Sequence, residues 1–229
     1  MTYAYNRDCM EAMRTFPDKF FDLAVVDPPY GIGADDFNNG AGSKDHPRGS
    51  SATKNRLNSG GGKLKNRVLN QANCSWDVKP TEDYFRELFR VSKSQIIWGG
   101  NYFSLPPTRC VIVWDKVQPW ENFSQVELAW TSFDYPAPLF RFCNAGGSAG
   151  TNKIHPTQKP VALYAWIFSK YAKPGYKILD THLGSGSSRI AAYDAGLDFW
   201  GYEIDKEYFD KQEERFAIHT SQVSMFENF

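Results

Sequence analysis

The clearest hydrophobic run of the chain is at residues 23–26, where four apolar residues in a row predict a strand buried on both faces. Pro28 and Pro29 must end this strand, because a proline has no N–H to donate to a sheet ladder. The strand therefore brings Asp27 and Tyr30 to its carboxyl edge. In open α/β sheets, ligands bind at that edge.

The rest of the pattern predicts a series of short strands and helices. Further strands are expected at residues 4–6, 95–98, 111–114, 126–130, 176–180 and 199–203. Helices are expected to begin near residues 8, 81, 160 and 186. Trp98, Trp114 and Trp130 each close a strand that is otherwise apolar, so we expect all three in the hydrophobic core.

Residues 31–75 interrupt this pattern with a stretch that is rich in Gly, Asn, Ser and Lys and shows little periodicity. A loop of this length inside a compact domain is usually either a functional segment or a disordered one. A surface insertion without a function is the alternative interpretation.

Charge is unevenly placed along the chain, although the formal net charge is zero. Residues 41–79 carry eight Lys and Arg against two Asp, a balance of +6. Residues 203–229 carry three Lys and Arg against seven Asp and Glu, a balance of −4. We therefore expect a polyanionic partner to meet the first of these segments.

The composition is typical of one domain with a full core, residues 1–229, since 41% of the residues are hydrophobic. No apolar run approaches the ~18–20 residues of a membrane span, and the N-terminus lacks the apolar core of a signal peptide. We therefore expect a cytoplasmic protein without membrane contact. The cysteines, at positions 9, 74, 110 and 143, are too far apart for paired metal ligands, so neither a metal site nor a disulfide is expected.

Asp27, Pro28 and Tyr30 together suit a planar ring that carries an exocyclic amino group. The Asp27 carboxylate and the Pro28 carbonyl can accept the two N–H groups, and the Tyr30 ring can stack on the face. The plainer interpretation is a strand that ends in a tight turn with an incidental acid.

A second candidate site follows the strand that ends at Asp180. Gly184 and Gly186 lead from this strand into a helix, and such a turn offers converging backbone N–H groups to a nucleotide. Glu203 ends the next strand, where its carboxylate can accept hydrogen bonds from both ribose hydroxyls. A nicotinamide dehydrogenase would need a third glycine where Arg189 stands, so a ligand without a pyrophosphate fits better.

Three segments resemble motifs of the β-class DNA amino-methyltransferases, which methylate adenine N6 or cytosine N4. They are Asp-Pro-Pro-Tyr at 27–30, His-Pro-Thr-Gln-Lys-Pro at 155–160 and Gly-Ser-Gly at 184–186, and their order is that of the class. The resemblance implies a Rossmann-like methyltransferase fold, an α/β protein with a mostly parallel sheet, helices on both faces and a permuted motif order. It also implies S-adenosylmethionine as cofactor, double-stranded DNA as partner, no metal and, because relatives often dimerise, a homodimer.

The same resemblance assigns roles to individual residues. Those implied in catalysis are Asp27, Pro28, Pro29 and Tyr30. Those implied in cofactor binding are Asp8, Cys9, Asp27, Thr157, Lys159, Pro160, Asp180, His182, Gly184, Ser185, Gly186 and Glu203. The 31–75 segment is expected to be mobile and to contact the DNA backbone through Lys44, Arg48, Lys54, Arg56, Lys63, Lys65 and Arg67.

Adenine N6 is the expected target, with cytosine N4 as the alternative, because Asp27 resembles the adenine enzymes and Ser is commoner at this position among the cytosine ones. Methylation of cytosine C5 is disfavoured, since the chain has no Pro-Cys pair for the nucleophile. A protein-glutamine methyltransferase is also disfavoured, since the motif of those enzymes resembles Asn-Pro-Pro-Tyr and stands after the glycine loop. The family usually has Asp-Pro-Phe where this chain has Asp180, Thr181 and His182, so a DNA-binding relative with a decayed cofactor site is a further alternative.

Overall fold

A computed structural model describes residues 1–31, 78–118, 124–143, 154–155 and 157–226, with side chains up to residue 222. The chain divides into two compact units, one formed by Met1–Pro28 with Pro80–Phe229 and the other by Pro29–Lys79. All the helices and strands given below belong to the first unit. Residues 32–75 of the predicted DNA-contacting loop lie outside the described residues, and the single domain expected from chain length stays a prediction.

The described residues of the first unit form an eight-stranded sheet. Its strands are β1 (Thr2–Asn6), β2 (Phe21–Val26), β3 (Ser92–Trp98), β4 (Val111–Asp115), β5 (Val126–Thr131), β6 (Leu139–Arg141), β7 (Lys177–Asp180) and β8 (Asp198–Glu203). The order across the sheet is β1-β8-β7-β2-β3-β5-β4-β6. All seven predicted strands are present, and β6 is an additional one.

Most neighbouring strands are parallel, which confirms the predicted mostly parallel sheet. The exception is β5, which runs antiparallel to both β3 and β4. Its reversed direction places its first residues, and not its last, at the edge where the parallel strands end. Glu127, the second residue of β5, therefore lies at the carboxyl edge of the sheet, opposite Trp114 of β4 in register.

Five α-helices accompany the sheet in the described part of the chain, in addition to a short 3-10 helix at Gly100–Tyr102. They are α1 (Cys9–Met13), α2 (Glu82–Val91), α3 (Val161–Tyr171), α4 (Ser187–Asp194) and α5 (Lys206–Phe226). The first four match the predicted helices, and Pro160 is the cap residue that directly precedes α3. Among the described residues, no helix is long and apolar enough to cross a membrane.

The two faces of the sheet are covered by different helices. On one face, Leu23 and Val25 of β2 belong to a buried cluster with Leu163 and Ile167 of α3. Val26 is also fully buried, and it lies on the opposite face because side chains alternate along a strand. There α2 packs against β3 and against α1. Helices on both faces explain why β2 is apolar at every position from 23 to 26.

Trp98 and Trp114 lie in the core as predicted, with ring centroids 6.3 Å apart. The prediction is wrong for Trp130, which is half-buried and donates its indole N–H to a backbone carbonyl at 2.6 Å. Alternation along β5 explains the difference, because Ala129 takes the position in the main core cluster. Trp130 lies on the other face, where its ring meets the edge of Phe89 of α2.

Candidate active site at the carboxyl edge of the sheet

Four carboxylates converge at the carboxyl edge of the sheet. Asp27 follows β2 directly, Asp180 ends β7 and Glu203 ends β8. Asp8 comes two residues after β1, which pairs with β8. Since β2, β7, β8 and β1 are consecutive parallel strands, the structure brings these four predicted site residues to one edge.

Asp27 forms an ion pair with a buried lysine. The ammonium group of Lys159, in the segment before α3, donates to Asp27 Oδ2, and only 4% of the Lys159 side chain is exposed. The same ammonium group lies 3.3 Å from Glu127 Oε2 and 5.3 Å from the centre of the Trp98 ring. The motif that begins at Asp27 and the motif that contains Lys159 therefore meet through an ion pair.

Glu127 extends this ion pair to four charged groups. Its carboxylate is also paired with Lys116, at 2.5 Å. Burial alone would lower the pKa of Lys159, but Asp27 and Glu127 outweigh it and raise this pKa above its usual value. Burial would likewise raise the pKa of Glu127, but Lys159 and Lys116 outweigh it and lower this pKa. Both groups are therefore charged at neutral pH.

Neither Glu127 nor Lys116 was recognised as a site residue from the sequence. A single acid inside the otherwise apolar run at residues 126–130 was the signal that could have revealed Glu127. A charged residue in a buried strand needs a partner, because desolvation of an unpaired charge is costly.

The glycine loop between β7 and α4 has a backbone that other residues would strain. Gly184 and Gly186 have φ angles of +51° and +72°. A side chain on Gly186 would also come within 3.0 Å of Gln212 Oε1. Gly184 donates its backbone N–H to Glu203 Oε2 at 2.8 Å. The loop is thus tied to the acid that was predicted for the ribose.

Helix α5 holds the same loop from the outside. Arg215 donates to the carbonyl of Ser185 at 2.7 Å and to the hydroxyl of Ser187 at 2.9 Å. Gln212 is fully buried next to Gly186. Neither Arg215 nor Gln212 was recognised from the sequence, since no helix was predicted after β8.

Glu203 fixes the backbone on two sides. Besides the Gly184 N–H on Oε2, it accepts the Asp205 N–H on Oε1 at 2.9 Å. Burial raises the pKa of this carboxyl, and the backbone hydrogen bonds reduce the rise. Each carboxylate oxygen has a second acceptor site, so Glu203 could also accept from hydroxyl groups of a ligand.

Asp180 is buried and hydrogen-bonded, and its pKa is still raised. The Ser188 hydroxyl donates to Oδ2 at 2.5 Å, and the His182 backbone N–H donates to Oδ1 at 3.0 Å. Burial raises the pKa of this carboxyl to about 7, the two hydrogen bonds reduce the rise, and the charges of Asp27 and Glu203 add to it. A positively charged ligand at this edge would therefore be favoured.

Thr181 and His182, where the sequence departs from the family motif, form part of a hydrogen-bonded chain. The Tyr84 hydroxyl lies 2.6 Å from Thr181 Oγ1, which lies 2.9 Å from His182 Nδ1. The Tyr84 and His182 rings also meet edge to face, with centroids 5.5 Å apart. Burial lowers the pKa of His182 to about 4, so the ring is neutral. The departure therefore places an aromatic ring, held by these contacts, where the family motif has phenylalanine.

His155 packs against the glycine loop. Its ring lies 3.6 Å from the position that a Cβ on Gly184 would take, and it meets the Tyr208 ring at a centroid distance of 4.3 Å. Thr157 is exposed, with its hydroxyl 3.1 Å from His155 Nδ1. Pro160 then ends the segment as the cap residue of α3. The segment thus links the glycine loop to α3.

Asp8 and Cys9 form the start of α1. Asp8 caps the helix by accepting the Glu11 N–H at 2.9 Å. Cys9 is half-buried, and burial, with a smaller contribution from Asp8, raises the pKa of its thiol to about 12. A neutral thiol is a poor nucleophile, so Cys9 is not expected to act as one.

The arrangement described so far does not cover every predicted site residue. Pro29 and Tyr30 belong to the second unit, and the basic residues from Lys44 to Arg67 lie outside the described residues. Within the second unit, Gly31 has a φ of +65°, and a Cβ there would stand 2.8 Å from the Cβ of Lys79. The turn after Tyr30 therefore requires a glycine.

The chain matches a known protein family over more than half of its length. Residues 65–214 fit the family model N6_N4_Mtase, which is described as DNA methylase. The chain belongs to this family. It is therefore a DNA methyltransferase of the N6/N4 type, and S-adenosylmethionine is its cofactor.

Relatives of this methylase include other methylases and solved structures of the same fold. The methylase candidate YubD of Escherichia coli K12 is 24% identical over 212 residues, 92% of this chain and 88% of its own. Type II methyltransferase M.BglII of Bacillus subtilis is 24% identical over 247 residues, 90% of this chain and 66% of its own. The M1.HpyAVI–SAM complex has a TM-score of 0.56 at 18% identity and covers 94% of this chain and 100% of its own. The cytosine-N4-specific PvuII methyltransferase has a TM-score of 0.59 at 14% identity and covers 97% of this chain and 92% of its own.

The acids at the sheet edge of this methylase fit its cofactor. S-adenosylmethionine carries a sulfonium and an ammonium group, and positive charges of this kind would stabilise the carboxylate form of Asp180. Glu203 would suit the ribose hydroxyls, and Gly184 and Gly186 leave the main chain of the loop open to a ligand. The donor and acceptor groups present therefore match S-adenosylmethionine.

Proposed function

We propose that the protein methylates the exocyclic N6 of adenine in double-stranded DNA. Asp27 carries this proposal, because it holds a carboxylate at the end of β2 next to the Pro28 carbonyl and the acids of the cofactor edge. An amino group has two N–H donors, and these two acceptors match it.

The groups of the chain would direct the amino nitrogen toward its target. S-adenosylmethionine supplies the electrophilic methyl group when it is bound. An aromatic amino nitrogen is a weak nucleophile, because its lone pair is delocalised into the ring. By accepting both N–H groups, Asp27 and the Pro28 carbonyl would favour the pyramidal nitrogen, and alignment at ~3–3.5 Å would supply much of the acceleration. Asp27 would then take the proton that N6 loses after methyl transfer.

The target adenine would have to leave the duplex to reach Asp27. Extrusion costs a few kcal/mol of unstacking and unpairing. In this proposal Tyr30 stacks on the flipped base and restores part of that energy. The basic residues between Lys44 and Arg67 would contact phosphate groups beside it.

The proposed cofactor positions follow the order of the strands. Asp8 and Cys9 would lie against the adenine of S-adenosylmethionine and Glu203 on its ribose. The residues proposed for its methionine end are Asp27, Thr157, Lys159, Pro160, Asp180, His182, Gly184, Ser185 and Gly186.

Analysis of the methylated nucleoside tests this function. The protein is incubated with duplex DNA and S-adenosylmethionine labelled in its methyl group, and the DNA is then digested to nucleosides. Label in N6-methyladenine is the expected result. Label in N4-methylcytosine would move the target to cytosine. Absence of both incorporation and cofactor binding by calorimetry would favour the DNA-binding relative with a decayed cofactor site.

A further inference from the structure

The ion pair between Lys159 and Asp27 opposes the proposed methyl transfer. The inference below rests on that proposed function. Lys159 occupies Oδ2 of the carboxylate that should accept the amino group. Its charge also opposes the positive charge that develops on the nitrogen as the methyl group arrives. Asp27 can therefore attract this positive charge fully only if Lys159 moves away, and the Lys159 side chain, 4% exposed, is shielded from water.

Glu127 offers a second position for the Lys159 ammonium group. Its Oε2 is buried and, among the residues that the structure describes, makes no hydrogen bond of normal geometry. Lys159 Nζ is already 3.3 Å away from it. Breaking a buried ion pair without a replacement costs ~3–5 kcal/mol, so a second carboxylate at this distance is what allows the exchange.

We propose that Glu127 is a positioning residue for methyl transfer. Its carboxylate pairs with the Lys159 ammonium group in place of Asp27 when Asp27 accepts the amino group of the base. Lys116, 2.5 Å from Glu127, competes with Lys159 for the same carboxylate. Glu127 therefore favours the release of Asp27, and Lys116 opposes it. A charge network that only stabilises the fold would not give opposite effects on the rate.

Single-turnover methyl transfer at saturating cofactor and DNA measures this effect. Glu127→Gln keeps the shape of the side chain and removes its charge, so the rate should fall by about tenfold or more while the dissociation constant of S-adenosylmethionine stays within about twofold. Lys116→Met removes the competing ion pair, so that Glu127 interacts only with Lys159 among these two lysines. The rate should then rise by about twofold or more.

Two further variants separate this role from a general effect of charge. Asp115→Asn removes an acid from the neighbouring strand β4 that pairs with Arg141, and it should keep the wild-type rate. In a Lys159→Met background, Glu127→Gln should have no additional effect on the rate, because Glu127 acts through Lys159.

The proposal is overturned if Glu127→Gln keeps the wild-type rate, or if Lys116→Met lowers the rate as Glu127→Gln does. Should Glu127→Gln fail to fold, the response to Lys116→Met still decides, because a fall contradicts the competition between the two lysines. Asp27→Asn distinguishes this failure from failure of the proposed function. Full activity in that variant would remove Asp27 from the reaction, whatever Glu127 does.

Discussion

Asp180 is a residue whose charge depends on what is bound nearby. Burial raises its pKa from 3.8 to about 7, so near neutral pH the free protein contains both the acid and the carboxylate. The bound proton stabilises the free fold fully below the ordinary pKa, and this contribution is lost as the pH rises through about 7. A bound cation reverses the preference, because it favours the carboxylate.

Cofactor affinity is therefore expected to rise with pH up to about 7 and to level off above it. The rise should reach up to about tenfold per pH unit, because one proton is released on binding. Asp180→Asn should bind S-adenosylmethionine more weakly and without this slope. Titration calorimetry across this pH range measures both effects, and a slope that persists in the Asn variant would assign the proton to another group.

Asp27→Ala is expected to abolish methyl transfer and to leave the protein folded. The apolar run of β2 is unchanged, and Lys159 keeps Glu127 as its partner, so no buried charge is left alone. Thermal unfolding checks the fold, and Asp27→Asn is the matched variant of equal shape. Turnover above about a tenth of wild type in the Ala variant would contradict the acceptor role of Asp27.

Among the elements, every strand except the three-residue β6 could be predicted, because each of the others contains a local apolar run. The direction of β5 could not, because it depends on pairing with β3 and β4 and the local pattern is the same in either direction. The edge position of Glu127 follows from that direction. The ion pair between Glu127 and Lys159 could therefore not be predicted from the sequence, although Asp27 and Lys159 were both recognised as site residues.

The glycine loop, too, could be predicted only in part from the sequence. Gly184 and Gly186 could be predicted, since a tight turn between a strand and a helix favours residues that tolerate a positive φ. The contacts from α5 could not, because Gln212 and Arg215 hold the loop by polar contacts, which leave no trace in hydrophobic periodicity.

Gly186→Ala and Gly196→Ala test whether the contact with α5 matters. Both positions have a positive φ, +72° and +65°, so both variants should lose roughly 1–2 kcal/mol of stability from backbone strain. A Cβ at Gly186 would also press on Gln212 at 3.0 Å, whereas a Cβ at Gly196 meets nothing within 4 Å. Only Gly186→Ala should weaken the binding of S-adenosylmethionine. Equal cofactor affinity in the two variants would show that the loop does not need its contact with α5.

At the scale of the whole molecule, positive charge is concentrated in one sequence segment, which has seven basic residues from Lys44 to Arg67. Replacing four of them by alanine is expected to weaken DNA binding and to leave cofactor binding unchanged. The salt dependence of DNA affinity should become shallower by roughly 0.9 log units for each phosphate group that the protein no longer neutralises. Lys206→Ala, which removes a lysine paired with Asp210 on α5, is the control. An unaltered salt slope would make the segment a surface insertion without a role in DNA binding.

Strand β1 has a consequence for how the protein is made. It pairs along its length with β8, from Thr2 opposite Phe199 to Asn6 opposite Glu203. On the ribosome, β1 emerges nearly two hundred residues before this partner, and at 5–20 residues per second the delay is roughly 10–40 s. Throughout that time Tyr3 and Tyr5 lie on an unpaired strand, which is the kind of edge that recruits other chains. We therefore expect the newly made protein to be more prone to aggregation until β8 is available to complete the sheet.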